Sequence, residues 1–220
     1  MEYDCKAFTN LCVVSGYYKS NKSKDNCNYA CLYNNIFNDY RQEEMCLLEF
    51  EPSNEREKIE LGGSLKMWYT FLSKTYIVGV YDREDLKVKA DENINDLRDK
   101  TTGELERVMT VVCEDMTRDG VRQLFERPEL QERFDIIVDA SDRTLDEKMS
   151  VFNGAIQKLV PQGFYFIENI RAEESDEICR RLSDLKEYYA STLEFFFEVV
   201  HNPINITDHP LIIIQRLRDE

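Results

Sequence analysis

The sequence predicts an α/β fold: a seven-stranded sheet, mostly parallel, with an antiparallel strand pair at its C-terminal end and helices on both faces. Three observations carry this. Short apolar runs of strand length alternate with segments of helical period, as in a parallel sheet joined by crossover helices. One run, Phe134–Asp139, is apolar at the consecutive positions Ile136, Ile137 and Val138, as a strand buried on both faces requires. Finally, Leu193–Val200 and Leu211–Leu217 follow one another with only a Pro/Asn/Asp loop between them, so they pair as antiparallel neighbours.

The chain reads as one domain over 1–220, with a helical, lid-like segment over 1–44 and the sheet core over 45–220. Within Tyr29–Tyr40, the residues Tyr29, Tyr33, Ile36, Phe37 and Tyr40 recur at helical spacing and predict one apolar face. Tyr17, Tyr18, Tyr29 and Tyr33 can stack on a sugar ring or, for the last two, pack as core. Met45–Phe50 is the first strand. Ser64–Leu72 is a helix opened by Gly62-Gly63, and Tyr76–Tyr81 is the second strand. Arg83–Arg107 is highly charged, a helix followed by an irregular segment. Val108–Cys113 is the third strand, Arg118–Phe125 a helix, and Phe134–Asp139 the fourth strand. Thr144–Leu159 is an amphipathic helix stopped by Pro161 and Gly163. Phe164–Ile167 is the fifth strand, and Ser175 is a candidate N-cap for a helix to Tyr188.

Composition narrows the function classes. With 42% hydrophobic and 32% charged residues, the chain belongs among globular proteins. No apolar run approaches the ~18 residues of a membrane helix, and the first residues lack the pattern of a secretory signal. The net charge of −15 and a pI of about 4.7 repel phosphate backbones and make nucleic acid an unfavourable partner. The short basic cluster Lys19–Lys24 reads as a solvated loop. Seven cysteines (Cys5, Cys12, Cys27, Cys31, Cys46, Cys113, Cys179) show no paired zinc spacing, which suits a reduced, cytoplasmic protein.

Ligands of open α/β sheets bind at the carboxyl ends of the strands, so the residues there are the candidates. Asp82 ends the second strand, where ribose hydroxyls are gripped. Asp115 and Met116 follow the third, offering a carboxylate and a thioether to an adenine ring. Each has a structural alternative: a helix cap for either acid, core packing for Met116. Asp139 ends the fourth strand and Glu168-Asn169 the fifth. Adjacent strand tips lie about 4.8 Å apart, so these three can converge as an all-oxygen ligand set suited to Mg²⁺, Mn²⁺ or Ca²⁺. The alternative is that Glu168 and Asn169 cap the next segment.

These motifs have a familiar arrangement. Tyr18-Lys19-Ser20-Asn21-Lys22, Asn28-Tyr29 with Tyr33, Leu48-Glu49-Phe50, Gly62-Gly63-Ser64-Leu65-Lys66-Met67-Trp68, Ile77-Val78-Gly79-Val80, Phe134–Asp139 and Leu159–Asn169 together resemble the small sugar O-methyltransferases related to macrolide (macrocin, mycinamicin) deoxysugar methyltransferases. The resemblance covers roughly residues 18–170, and its Gly-Gly-Ser-Leu-Lys-Met-Trp element is its most specific part. It implies a Rossmann-like methyltransferase sheet, S-adenosylmethionine bound by Glu49, Gly62, Gly63, Ser64, Asp82, Asp115 and Met116, and Mg²⁺ (or Mn²⁺) held by Asp139, Glu168 and Asn169. The expected acceptor is a sugar or glycoconjugate hydroxyl, with Asp139 and Asp142 as catalytic groups. Asp142 is the candidate base and His201 a substitute. Self-association into a homo-oligomer is compatible with the sequence.

Two departures stand out. The family continues from its first-strand Glu into a short glycine turn, whereas here Phe50-Glu51-Pro52 and a charged loop through Glu60 follow Glu49. The family also offers Asp-Asp-Gly-Ser-His after the fourth strand, where this chain has Asp139-Ala140-Ser141-Asp142-Arg143. They motivate an alternative reading, a non-catalytic binding protein on the same scaffold. A nicotinamide dehydrogenase is disfavoured because no Gly-x-Gly-x-x-Gly follows the first strand, and a two-His iron hydroxylase lacks its histidines.

Overall fold

The computed structural model describes residues 10–23, 28–51, 59–97, 107–130, 132–201 and 209–217. Seven strands form one sheet: β1 (Cys46–Phe50), β2 (Tyr76–Tyr81), β3 (Val108–Val112), β4 (Phe134–Asp139), β5 (Leu159–Ile167), β6 (Phe195–Val200) and β7 (Leu211–Arg216). Their order is β3-β2-β1-β4-β5-β7-β6. The first five are parallel, and β7 runs antiparallel between β5 and β6. The order reverses between β1 and β4, which places the switch-point crevice at the tips of those two strands.

Consecutive residues of each strand face opposite sides, so each side has its own core. Leu48, Val78, Ile137, Tyr165 and Ile212 pack against α5 (Arg118–Leu124), α6 (Leu145–Ala155) and α7 (Ser175–Tyr189). Leu47, Ile77, Ile136, Phe166 and Ile213 pack against α1 (Asn10–Tyr17), α2 (Ala30–Phe37) and α3 (Gly63–Phe71). The remaining helix, α4 (Glu84–Ile94), lays Leu86 and Ala90 on Tyr81. Each fully buried Leu, Ile or Phe contributes about 1.5–3 kcal/mol of transfer free energy, which is why a two-sided sheet tolerates so acidic a surface.

The structure corrects several sequence expectations. Of the two roles offered for Tyr29 and Tyr33, the core is the one they take: both have no exposure, and Tyr33 stands edge-on to Trp68 and Phe166. Tyr17 is exposed. Lys22, read as part of a solvated basic loop, is completely buried. The helix after Thr144 stops at Ala155, and β5 begins at Leu159, running through Pro161 and Gly163. The pairing of β4 with β5 shifts register between Phe134 and Ile136, and that irregularity accommodates a proline in the strand. A Cβ on Gly163 would lie 2.9 Å from the Asp135 carbonyl. Ser175 is the first residue of α7, not its cap, because a 3-10 turn (Ala172–Glu174) precedes it. Of the cysteines, Cys5 and Cys27 lie outside the described residues, as do Lys24 and residues 52–58.

Candidate active site

At the tip of β1, Glu49 is wholly buried, with both carboxylate oxygens occupied. Ser64 Oγ lies 2.8 Å from each of them. Trp68, one helical turn further along α3, donates from Nε1 to Oε2 at 2.8 Å. Lys22 contacts Oε1 directly. The same ammonium is 3.2 Å from Glu168 Oε1, and Tyr33 donates to that oxygen at 2.6 Å. Asn21 Nδ2 is 3.4 Å from Glu168 Oε2. Burial opposes charge on Lys22, but Glu168, Glu49 and Glu51 outweigh it, and its pKa is raised. Burial likewise raises the Glu168 carboxyl and the Tyr33 phenol, Lys22 working against the first shift and Glu168 adding to the second.

Glu51, one residue beyond β1, continues the sheet pairing through its N–H to the Val80 carbonyl at 3.0 Å. Its side chain is 3% exposed, and Oε1 has no hydrogen-bond partner. Burial, then Glu49, holds its carboxyl well above the usual carboxylate range. The Tyr81 hydroxyl at the end of β2 is also buried and without a partner. Next to it, Asp82 Oδ2 is 3.7 Å from Arg143, whose side chain is 5% exposed. Asp82 Oδ1 and both Arg143 terminal nitrogens make no hydrogen bond.

At the tip of β4, Asp139 Oδ1 accepts from the Ser141 N–H at 3.1 Å and from the Ser141 hydroxyl, while Oδ2 is buried and unpartnered. Lys148 of α6, also buried, is 3.7 Å from Oδ1 and donates to the Ser141 carbonyl at 2.6 Å. Burial lowers this ammonium from its ordinary value, with Asp139 opposing. Asn169 takes a left-handed backbone conformation, φ 56°, and its Nδ2 donates to the Ala140 carbonyl at 2.9 Å.

Of the three residues expected to hold a divalent ion, Asp139 presents a buried oxygen without a partner. Glu168 does not join it, because its carboxylate is committed to Lys22, Tyr33 and Asn21. Among the described residues no three His, Cys, Asp or Glu side chains are grouped to hold a metal. The donor set does not fit the ion as an open three-residue site.

The other candidates divide. Asp82 joins the crevice through Arg143. Gly62 carries φ +77°, which favours glycine, and a Cβ on Gly63 would lie 2.3 Å from the Tyr18 carbonyl. The close approach at this glycine pair is therefore made by the chain's own N-terminal segment. Asp115 is exposed and spends Oδ1 on the Thr117 N–H at 2.9 Å; the Thr117 side chain first, and then that N–H, lower its pKa. Met116 packs against the core on the α5–α7 face. Asp142 is partly exposed beside Arg143, and His201 is exposed at the end of β6, two strands beyond β5. Sequence reasoning missed Lys22, Glu51, Arg143 and Lys148. Glu51 and Arg143 carried a signal, standing where the family has its glycine turn and its histidine.

No known protein-family model matches the chain. Over 138 residues it is 27% identical to demethylmacrocin O-methyltransferase of Streptomyces fradiae, covering 63% of this chain and 30% of that protein. Among solved structures it resembles the MycE methyltransferase of the mycinamycin biosynthetic pathway in complex with Mg and SAH, with a TM-score of 0.68 and 20% identity over 96% of this chain and 56% of that one. An rRNA methylase from Streptococcus thermophilus superposes with a TM-score of 0.54 and 12% identity, covering 85% and 96%. The chain thus spans about a third of the curated relative and little more than half of MycE. The methyltransferase fold and the macrocin/mycinamicin-like resemblance both stand.

Proposed function

We propose that this domain binds S-adenosylmethionine at the carboxyl edge of the sheet and transfers its methyl group to a hydroxyl oxygen of a sugar or glycoconjugate. One observation supports the reading most directly. The buried atoms Glu51 Oε1, Tyr81 Oη, Asp82 Oδ1, Asp139 Oδ2, Arg143 Nη1 and Nη2, and Tyr165 Oη all lack hydrogen-bond partners. They come from β1, β2, β4 and β5 or the loops that follow. Each such group costs about 1–3 kcal/mol if left unsatisfied, so their concentration around one crevice suits a polar ligand. Asp82 offers an acceptor for ribose hydroxyls.

Methyl transfer from a sulfonium requires the acceptor oxygen to lie in line behind the methyl carbon and to lose its proton as the bond forms. Asp139 Oδ2 is an acceptor for that proton, oriented because Ser141 and Lys148 fix the other oxygen. Asp142, in the following loop, is the second candidate. The test is calorimetric titration with S-adenosylmethionine, followed by mass-spectrometric assay of methyl transfer to a panel of deoxysugar and glycoside acceptors, with and without Mg²⁺. Binding with methylation is expected. Binding of no cofactor would overturn the assignment.

A second reading, a non-catalytic binding protein on this scaffold, is favoured by Glu51 standing where the family has a glycine turn and by Arg143 lying across from Asp82. Cofactor binding without methyl transfer to any acceptor would favour it.

A further inference from the structure

We propose that the Lys22 ammonium takes the place of a divalent ion at the tip of β5, so that the methyl transfer proposed above proceeds without a metal. The second half rests on that proposed function; the first rests on the side chains alone.

Glu168 is the deciding residue. In the expected ligand set it supplies one of two carboxylates, with Asp139 the other and Asn169 an amide oxygen. A hard divalent ion needs such oxygens turned toward it and not already engaged by donors. Both oxygens of Glu168 are engaged. Oε1 accepts from the Tyr33 hydroxyl at 2.6 Å and lies 3.2 Å from the Lys22 ammonium. Oε2 is 3.3 Å from the same ammonium and 3.4 Å from Asn21 Nδ2.

A metal–oxygen bond is about 2.0–2.6 Å long. An ion on either oxygen would therefore lie within about 6 Å of the Lys22 ammonium. Two positive charges at that range, sealed from water, repel strongly. Lys22 has no easy retreat. It is completely buried, and its departure would strand the ammonium together with the carboxylates of Glu49 and Glu168. Glu49 is in turn fixed by Ser64 and Trp68. The ammonium thus joins the tips of β1 and β5 as a bridging ion would, but it is part of the chain and no chelator can remove it.

The experiment titrates Mn²⁺ alone into the whole chain and follows the free ion by electron paramagnetic resonance. Four chains are compared: the parent, Asp139→Ala, Lys22→Ala, and Lys22→Ala combined with Glu168→Gln. Uptake by the acidic surface is common to all four. We expect the parent and Asp139→Ala to take up Mn²⁺ equally. Lys22→Ala frees the two carboxylates that share the ammonium, so it should bind about one ion more and melt at a higher temperature as Mn²⁺ is added. The double variant should lose both effects. Cofactor affinity and methyl transfer by the parent should be the same in excess chelator as in Mg²⁺. An ion held by the parent and lost in Asp139→Ala would overturn the inference, as would methyl transfer abolished by the chelator. A folded Lys22→Ala chain with no added uptake would overturn it too. Should that variant fail to fold, the parent and Asp139→Ala decide. If S-adenosylmethionine does not bind, the proposed function falls, and the Mn²⁺ titrations still decide whether Lys22 holds the ion's place.

Discussion

The Lys22 ammonium sits between the carboxylates of Glu49 and Glu168, and none of the three side chains is exposed. Because β4 separates β1 from β5, this one cation ties together the tips of two strands that do not touch. It also ties the stretch that follows α1, through Lys22, to those tips.

Replacing Lys22 by Met should therefore be severe. It leaves two buried acids without their countercharge, a change that costs about 3–5 kcal/mol where such pairs are broken. Urea denaturation should show a matching fall in the midpoint. Pairing the change with Glu168→Gln should recover part of the loss, since one orphaned charge is removed.

The raised carboxyl of Glu51 predicts how stability depends on pH. In the folded chain it holds its proton at a pH where the unfolded chain has released it. Folding then binds a proton at this group, so its contribution to stability is full below the ordinary carboxylate range and is lost as pH rises toward the raised folded value. Glu51→Gln should flatten that decline. Denaturation midpoints between pH 5 and pH 8 check this, the variant gaining on the parent as pH rises.

Thr144 caps α6, its side chain accepting from the Glu147 N–H while Glu147 returns a bond to the Thr144 N–H at 2.9 Å. Thr144→Ala should cost about 1 kcal/mol, or about 2–4 °C in Tm for a chain of this size. Calorimetric melting measures it.

Asp82 and Asp115 should separate in cofactor binding. Asp82 has a buried oxygen with no partner, whereas Asp115 already satisfies the Thr117 N–H at the surface. Asp82→Asn should weaken S-adenosylmethionine about tenfold, equivalent to about 1.4 kcal/mol. Asp115→Asn should leave the affinity unchanged. Titration of both variants gives the comparison.

The sheet was largely legible because its signals are local. β2 and β4 fall on the residues that their apolar runs mark, and the unbridged pair at the C-terminus pairs antiparallel as its short loop requires. β5 was read five residues short because Pro161 and Gly163 ordinarily end an element, and only the neighbouring strand's register shift shows how they are absorbed. The site was less legible. Nothing near Lys22 in the chain announces that its partners lie 27 and 146 residues away. Likewise, that Glu168 would be claimed by Tyr33 and Lys22 depends on how α2 packs on the sheet, which strand-tip spacing does not encode.

The indole of Trp68, the chain's single tryptophan, donates to the carboxylate at the floor of the crevice. Its emission therefore comes from one known place, with no competing indole to dilute it. Any event that shifts charge around Glu49 alters the polarity sensed by that ring, so the protein carries an optical probe of its own interior that needs no label.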